Sequence, residues 1–167
     1  MTGCAYLGLG SNLGDKENNL CQAIAHLKKY GTVNAVSTVF YSEPVGYKEQ
    51  PWFYNLVCRM FTDLSPFMLL AKIQEIEKQM GRKKEFTNGP RIIDIDILFY
   101  DNWIFISNRL IIPHPRLAER AFVLRPLSEL APDLYHPLLD TTIGELWAAR
   151  KDKLEKIELL KPQPRLG

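Results

Sequence analysis

The chain lacks most features that would place it outside the ordinary globular class. Only three cysteines occur in 167 residues, Cys4, Cys21 and Cys58, widely spaced and without a C-x-x-C. That argues against a disulfide framework and a cysteine zinc site. No apolar run approaches the ~20 residues that cross a bilayer, and no charged segment followed by an apolar one opens the sequence. The expectation is a cytoplasmic protein with no membrane partner. Neither sign of charge is in excess: 21 Lys and Arg stand against 19 Asp and Glu, a net +2. So balanced a chain gives no reason to expect nucleic acid, and any anion site must be a local cluster. Repeats, low-complexity tracts and linker-like stretches are missing too, so a single domain over residues 1–167 is expected. Phosphate loops are absent as well. No G-x-x-x-x-G-K-[ST] occurs, and "GLGSNLG" at Gly8–Gly14 has the wrong spacing for a dinucleotide turn. A tight strand-to-helix turn accounts for it better.

What is present is a regular alternation of elements. Ala5 to Leu9 reads as a strand ending in the Gly- and Asn-rich loop, with Asp15 as helix N-cap, Leu20, Ile24 and Leu27 at helical spacing, and Gly31 as a stop. "TVNAVSTVFYSEP" is β-rich, and after a loop "FYNLVCRMF" gives a third strand. Ser65-Pro66 opens a second helix, with Leu69, Ile73, Ile76 and Met80 on one face and Gly81 at its end. A basic loop, "RKKEFTNGP", leads into "RIIDIDILFYD", and "WIFI" reads as a short hairpin partner to that strand. Prolines punctuate the rest until a last helix around residues 143–160, and "KPQPRLG" reads as a frayed tail. The order β-α-β-β-α-β with a C-terminal helical extension predicts an α+β, ferredoxin-like fold. It has an antiparallel sheet with helices on one face and a second face free for a ligand.

Two aspartates in the middle of an apolar strand stand out. Side chains alternate along a strand, so Asp94 and Asp96 share a face, opposite Ile93, Ile95, Ile97 and Phe99. Two strand rises put their Cα atoms about 6.7 Å apart. Two charges at that distance repel by roughly 2.4 kcal/mol at an effective dielectric near 20. A cation between them removes that cost, and Mg²⁺ suits the arrangement because it takes one or two carboxylates plus substrate phosphates. On its own, a D-x-D is more often plain polarity on a solvated strand face. Here Arg91 begins the same segment, Arg82, Lys83 and Lys84 precede it, and Arg109, Arg116, Arg120 and Arg125 follow. Guanidinium forks beside a divalent-ion site are what a polyphosphate needs. His114 lies between Pro113 and Pro115 and so is excluded from a helix interior. His26 is expected to be half-exposed on the first helix and His136 to be a loop residue.

"GPRIIDIDILFYD" resembles the signature of the 6-hydroxymethyl-7,8-dihydropterin pyrophosphokinases of folate synthesis: Pro-Arg, two variable residues, Asp-x-Asp, then aliphatics. "YLGLGSNLGDKENNL", "YSEPVGYKEQPWFYNLV" and "RLIIPHPRLAERAFVLRPLSELAP" are similar to three further family segments, in order and without large gaps. The resemblance implies transfer of a whole pyrophosphoryl group from ATP to the pterin hydroxymethyl oxygen, releasing AMP. Two Mg²⁺ would be held by Asp94 and Asp96, with Arg82 and Arg91 joining them as catalytic residues. Asn55 would meet the pterin edge, since an amide offers a donor and an acceptor side by side. Phe53 and Phe122 would flank the ring, and Ser42, Glu43, Pro44 and Val45 match the loop that closes on it. Gln74, Glu77, Arg82, Lys84, Arg91, Ile97, Arg109, Ile111, His114 and Arg120 match positions around ATP. Asn88 stands where many members carry Trp, leaving Phe86 as the nearest aromatic. A monomer is expected. Two other classes fit less well. A non-catalytic ferredoxin-like ligand-sensing module leaves the same-face aspartates unexplained, and a D-x-D nucleotidyl- or glycosyltransferase needs a larger nucleotide domain.

Overall fold

The computed structural model describes residues 2–83 and 86–166. Alternation along the first strand, β1 (Gly3–Ser11), decides the layout. Ala5, Leu7 and Leu9 project to one side of the sheet, while Tyr6 joins a second apolar cluster on the other. Helix α1 (Lys16–Leu27) follows, capped by Asp15, whose carboxylate accepts from the Asn18 N–H at 3.1 Å. It stops at Leu27, four residues before Gly31, with Tyr30 packing on the core. The β-rich stretch after it divides into β2 (Thr32–Val36) and β3 (Phe40–Ser42), and the long β4 (Phe53–Thr62) pairs with both. Helix α2 (Pro66–Gln79) begins at Ser65-Pro66 as expected; the Ser65 hydroxyl accepts from the Met68 N–H and proline occupies the first turn.

Strand β5 (Asp94–Tyr100) completes one edge of the main sheet, whose order is β10-β3-β4-β1-β5, with β10 (Ile157–Leu159) at the other edge and β2 also paired to β4. Every pair in it is antiparallel. Helices α1 and α2 cover one face through Leu20, Ile24, Leu27, Leu69, Ile73 and Ile76 against Leu7, Leu56, Met60, Ile93, Ile95 and Ile97. The pattern is a helical stripe on a two-residue strand period, the arrangement that buries both.

The other face is not wholly free. Helix α3 (Ala121–Leu130) and helix α4 (Ile143–Arg150) cover half of it through Val123, Leu124, Leu127, Ile143 and Leu146. Helix α3 was hidden in the sequence because it contains Pro126. Phe99 belongs to this second cluster, not to the α1/α2 side. The ladder with β1 skips from Leu7↔Ile97 to Tyr6↔Phe99, a bulge at Leu98 that reverses the strand's parity.

The remaining short pieces also depart from expectation. Residues of "WIFI" pair not with β5 but with a later segment, β6 (Phe105–Ile106) against β7 (Ile111–Ile112). His136 is 5% exposed in β8 (Tyr135–His136), which pairs with β9 (Thr141–Thr142). The last helix ends at Arg150, and β10 (Ile157–Leu159) joins the main sheet beside β3. The tail is docked: Gln163 exchanges hydrogen bonds with both backbone groups of Val39, and Leu166 packs on the core. Among the described residues no helix is long and apolar enough to cross a membrane.

Candidate active site

The half of the sheet that α3 leaves bare floors a cleft of about 330 Å³. Two glycines create it. Gly8 and Gly10 lie inside β1, not in a turn, and both line the cleft. Side chains there would fill the space: a Cβ on Gly10 would stand 2.7 Å from Asn55 Oδ1. Register then sets out the floor in two rows. Gly10 faces Asn55 on β4 and Asp94 on β5; Gly8 faces Val57 and Asp96. The glycine strand thus keeps the amide and the first carboxylate two strand spacings apart, about 10 Å between Cα atoms.

Asp94 and Asp96 share the cleft face, as alternation requires. Asp94 accepts from Arg82 Nη1 at 2.9 Å, and Arg91 Nε lies 3.6 Å from its other oxygen. Arg82 also binds Glu77, whose carboxylate accepts the Ile95 N–H at 3.0 Å. Burial pushes Glu77 toward its neutral form, and Arg82 and the Ile95 N–H pull it back. Burial likewise opposes the charge on Arg82, but Asp94 and Glu77 outweigh it and hold the guanidinium above its ordinary value. Asp96 has weaker help, with Arg120 Nη1 at 3.9 Å. A third of its side-chain surface is still reachable by solvent. It nevertheless sits deep in the concavity, and desolvation followed by repulsion from Asp94 raises it to about 7.

The donor set suits Mg²⁺. Two oxygen-only groups lie side by side on one face, Asp96 with only a distant arginine to offset its burial, and no group of three or more His, Cys, Asp and Glu forms a cation cage among the described residues. A cation here must therefore draw its other ligands from water and phosphate oxygens, the habit of Mg²⁺ rather than of structural zinc or calcium. An anion has its own receptor. Arg91 Nε is buried without a hydrogen-bond acceptor, the sole such side-chain atom among the described residues. His114 adds a neutral donor: burial and the nearby Arg120 depress it to about 4. Its Nδ1 accepts the Arg116 N–H at 3.1 Å, so the proton sits on Nε2.

Beside this polar half lies a flatter pocket. Phe53 and Phe122 both line it, each under a guanidinium: Arg91 at 5.0 Å from the Phe53 centroid and Arg120 at 5.5 Å from Phe122. Asn55 is buried and donates to the Ser42 hydroxyl, which leaves its amide oxygen toward Gly10. Two loops meet over the cleft. Glu43 and Val45 come from one and Phe86–Pro90 from the other. Tyr47 and Phe86 stack edge-to-face at 5.1 Å, and Gln50 donates to the Tyr47 and Asn88 carbonyls at 2.7 Å. Buried Asn12 ties both loops to the floor. Its amide nitrogen donates to Gln50 Oε1 and Pro51 O at 2.9 Å, and its oxygen accepts the Arg91 N–H at 2.9 Å.

Of the positions singled out in the sequence, the cleft gathers Glu43, Val45, Phe53, Asn55, Arg82, Arg91, Asp94, Asp96, His114, Arg120 and Phe122. Ser42 stands behind Asn55 and Glu77 behind Arg82, while the Pro44 carbonyl accepts from Lys48. Ile97 is 4% exposed in the α1/α2 core. Gln74 and Arg109 are exposed, and neither they nor Ile111 lines this cleft. Lys84 lies outside the described residues. Sequence reasoning passed over Gly8, Gly10 and Asn12, although two glycines at a two-residue spacing in a β-rich run signal a close approach on one face.

Fold and cleft together define a small α/β protein with carboxylates and arginines at one end of its cleft and a buried amide between two aromatic rings at the other. A family model for 7,8-dihydro-6-hydroxymethylpterin-pyrophosphokinase (HPPK) matches residues 6–132, and the chain belongs to that family. It is 45% identical over 132 residues to the Bacillus subtilis 2-amino-4-hydroxy-6-hydroxymethyldihydropteridine pyrophosphokinase, covering 78% of this chain and 79% of that one. It is 46% identical over 141 residues to the Dictyostelium discoideum folic acid synthesis protein FOL1. That match covers 84% of this chain, yet the chain spans only 22% of the relative's length. A crystal structure of Plasmodium falciparum HPPK-DHPS superposes with a TM-score of 0.71 at 18% identity, over 92% of this chain and 46% of that one, a likeness of fold.

Proposed function

We propose that the protein transfers a pyrophosphoryl group from ATP to the hydroxymethyl oxygen of 6-hydroxymethyl-7,8-dihydropterin. A bond forms between that oxygen and the β-phosphorus, the bond from the β-phosphorus to the α–β bridging oxygen breaks, AMP departs, and the hydroxyl proton passes to solvent. The observation that carries this reading is the row Asn55, Gly10, Asp94: an amide for the ring edge and a carboxylate for the phosphates, held apart by a bare strand. Asn55 and the Phe53 and Phe122 faces would bind and orient the pterin. Arg91, whose buried Nε makes no hydrogen bond, Arg120 and the Nε2–H of His114 would hold phosphate oxygens. Asp94 and Asp96 would hold two Mg²⁺, which supply charge neutralisation at the transferring group. Arg82, paired with Asp94 and Glu77 here, would exchange those partners for phosphate when ATP binds. With β2 and β3 counted as one interrupted strand beside β4, the order of the core supports a ferredoxin-like assignment, and the protein is read as a cytoplasmic monomer.

Incubation with ATP, Mg²⁺ and the pterin, followed by identification of the nucleotide product, tests the reading. Pterin-dependent AMP is expected. ADP as the product, or pterin binding without turnover, would replace it with a different transferase or a ligand-sensing module.

A further inference from the structure

Helix α3 begins without a cap of its own. Arg120 occupies the N-cap position and makes no side-chain cap hydrogen bond. Phe122, in the first turn, is held poorly by the helix itself. Its N–H has no intrahelical acceptor, and its carbonyl loses the i+4 donor because that residue is Pro126. The missing bond comes from far along the chain: Glu155 Oε1 accepts the Phe122 N–H at 3.0 Å. The next residue reaches the opposite wall of the same pocket. The Lys156 N–H donates to Glu43 Oε1 at 3.0 Å, and the Glu43 N–H donates to the Lys156 carbonyl at 3.3 Å. Ile157 then pairs with Ser42, the residue behind Asn55, and its carbonyl accepts from Arg125 of α3. Three consecutive residues thus touch Phe122, Glu43 and Ser42, and all three lie beyond the segment 6–132 that matches the family.

We infer that Glu155 is a positioning residue for the ring-binding half of the site, acting through the Phe122 backbone. This rests on the assignment of that half to the pterin. Without the carboxylate the first turn of α3 loses the hydrogen bond that ties it to the end of the chain, and the Phe122 ring loses its fixed height over the cleft. Of the polyphosphate half only Arg120, at the N-cap position of α3 and over the Phe122 ring, adjoins this turn; Asp94, Asp96 and Arg91, set by β5 and Asn12, do not, so that half should respond much less.

The test measures binding of 6-hydroxymethyl-7,8-dihydropterin by its fluorescence and of a non-hydrolysable ATP analogue by calorimetry. Glu155→Ala should weaken pterin binding at least fivefold and ATP-analogue binding less than twofold. Glu155→Gln, which keeps an acceptor oxygen, should restore pterin binding to within twofold of wild type. In a Phe122→Ala background, Glu155→Ala should cost no more than a further twofold. If Glu155→Ala does not fold, Glu155→Asp, shortened by one methylene, is judged on the same criteria. Unchanged pterin binding with a lowered Tm, or equal loss for both ligands, overturns the positioning role and leaves the proposed activity standing. A wild type that binds no pterin overturns both.

Discussion

Asp96→Asn should stabilise the free protein at pH 8 while abolishing its turnover. The carboxyl of Asp96 is displaced from its ordinary value of 3.8 to about 7 by burial and by Asp94. Its folded value is raised, so the folded state binds the proton more tightly than the unfolded chain does. The stability this contributes is complete below about pH 4 and is lost as pH rises through about 7. A displacement of that size corresponds to a ceiling of ~4 kcal/mol. Since a third of the side chain meets solvent, screening reduces this to about 1–2 kcal/mol. Asparagine mimics the protonated form and escapes the penalty. Thermal unfolding without divalent cations should therefore give the variant a Tm about 3–6 °C above wild type at pH 8. At pH 5, where wild-type Asp96 is itself protonated, the gap should be nearly gone. A variant no more stable than wild type at pH 8, or a gap of equal size at both pH values, would refute the reasoning.

Gly10→Ala should keep the fold but displace the Asn55 amide, since the new Cβ would sit 2.7 Å from its oxygen. Pterin KM is expected to rise roughly tenfold with little change in the KM for ATP, a loss of about 1.4 kcal/mol in steady-state kinetics. His136 Nδ1 accepts the Leu138 and Leu139 N–H groups, and burial holds the imidazole below its ordinary value. A depressed folded value means stability is present above pH 6.5 and lost as pH falls, so the stability gap between wild type and His136→Ala should narrow on acidification, read by urea melts at pH 7.5 and pH 5. Gln163→Ala strands the N–H of fully buried Val39, whose carbonyl keeps the Leu160 N–H, and should cost about 1–3 kcal/mol in the same melts.

Local rules made part of the structure legible from the chain. The start of α2 is written in Ser65-Pro66, and the shared face of Asp94 and Asp96 in the two-residue period, because neighbours in sequence decide both. The misreadings arise where distant partners decide. Nothing near Leu98 announces a bulge, so strand alternation alone puts Phe99 in the wrong core. Residues 157–159 look like the end of a helix until β3 offers a strand to pair with. His136 looks like a loop residue until Phe99 packs edge-on against it, 5.7 Å between centroids. In the candidate site the charged residues were conspicuous by type. The glycines that make room for a ligand were not, because what they contribute is absent volume. Gln74 and Ile111 rest on family resemblance alone, Arg109 also on the run of arginines, and all three stand outside the cleft.

The three residues of β10 also bear on how this chain behaves in a crowded solution. Without them β3 would present a row of unpaired N–H and C=O groups at the sheet's rim, an invitation to another molecule's strand. β10 occupies that row and is itself too short to template much. A chain cut back to residue 132, where the family match ends, would expose the rim together with the apolar faces of Trp147 and Leu154's partners. Such a fragment should self-associate edge to edge, making the last turn of the chain a guard against fibre-like assembly.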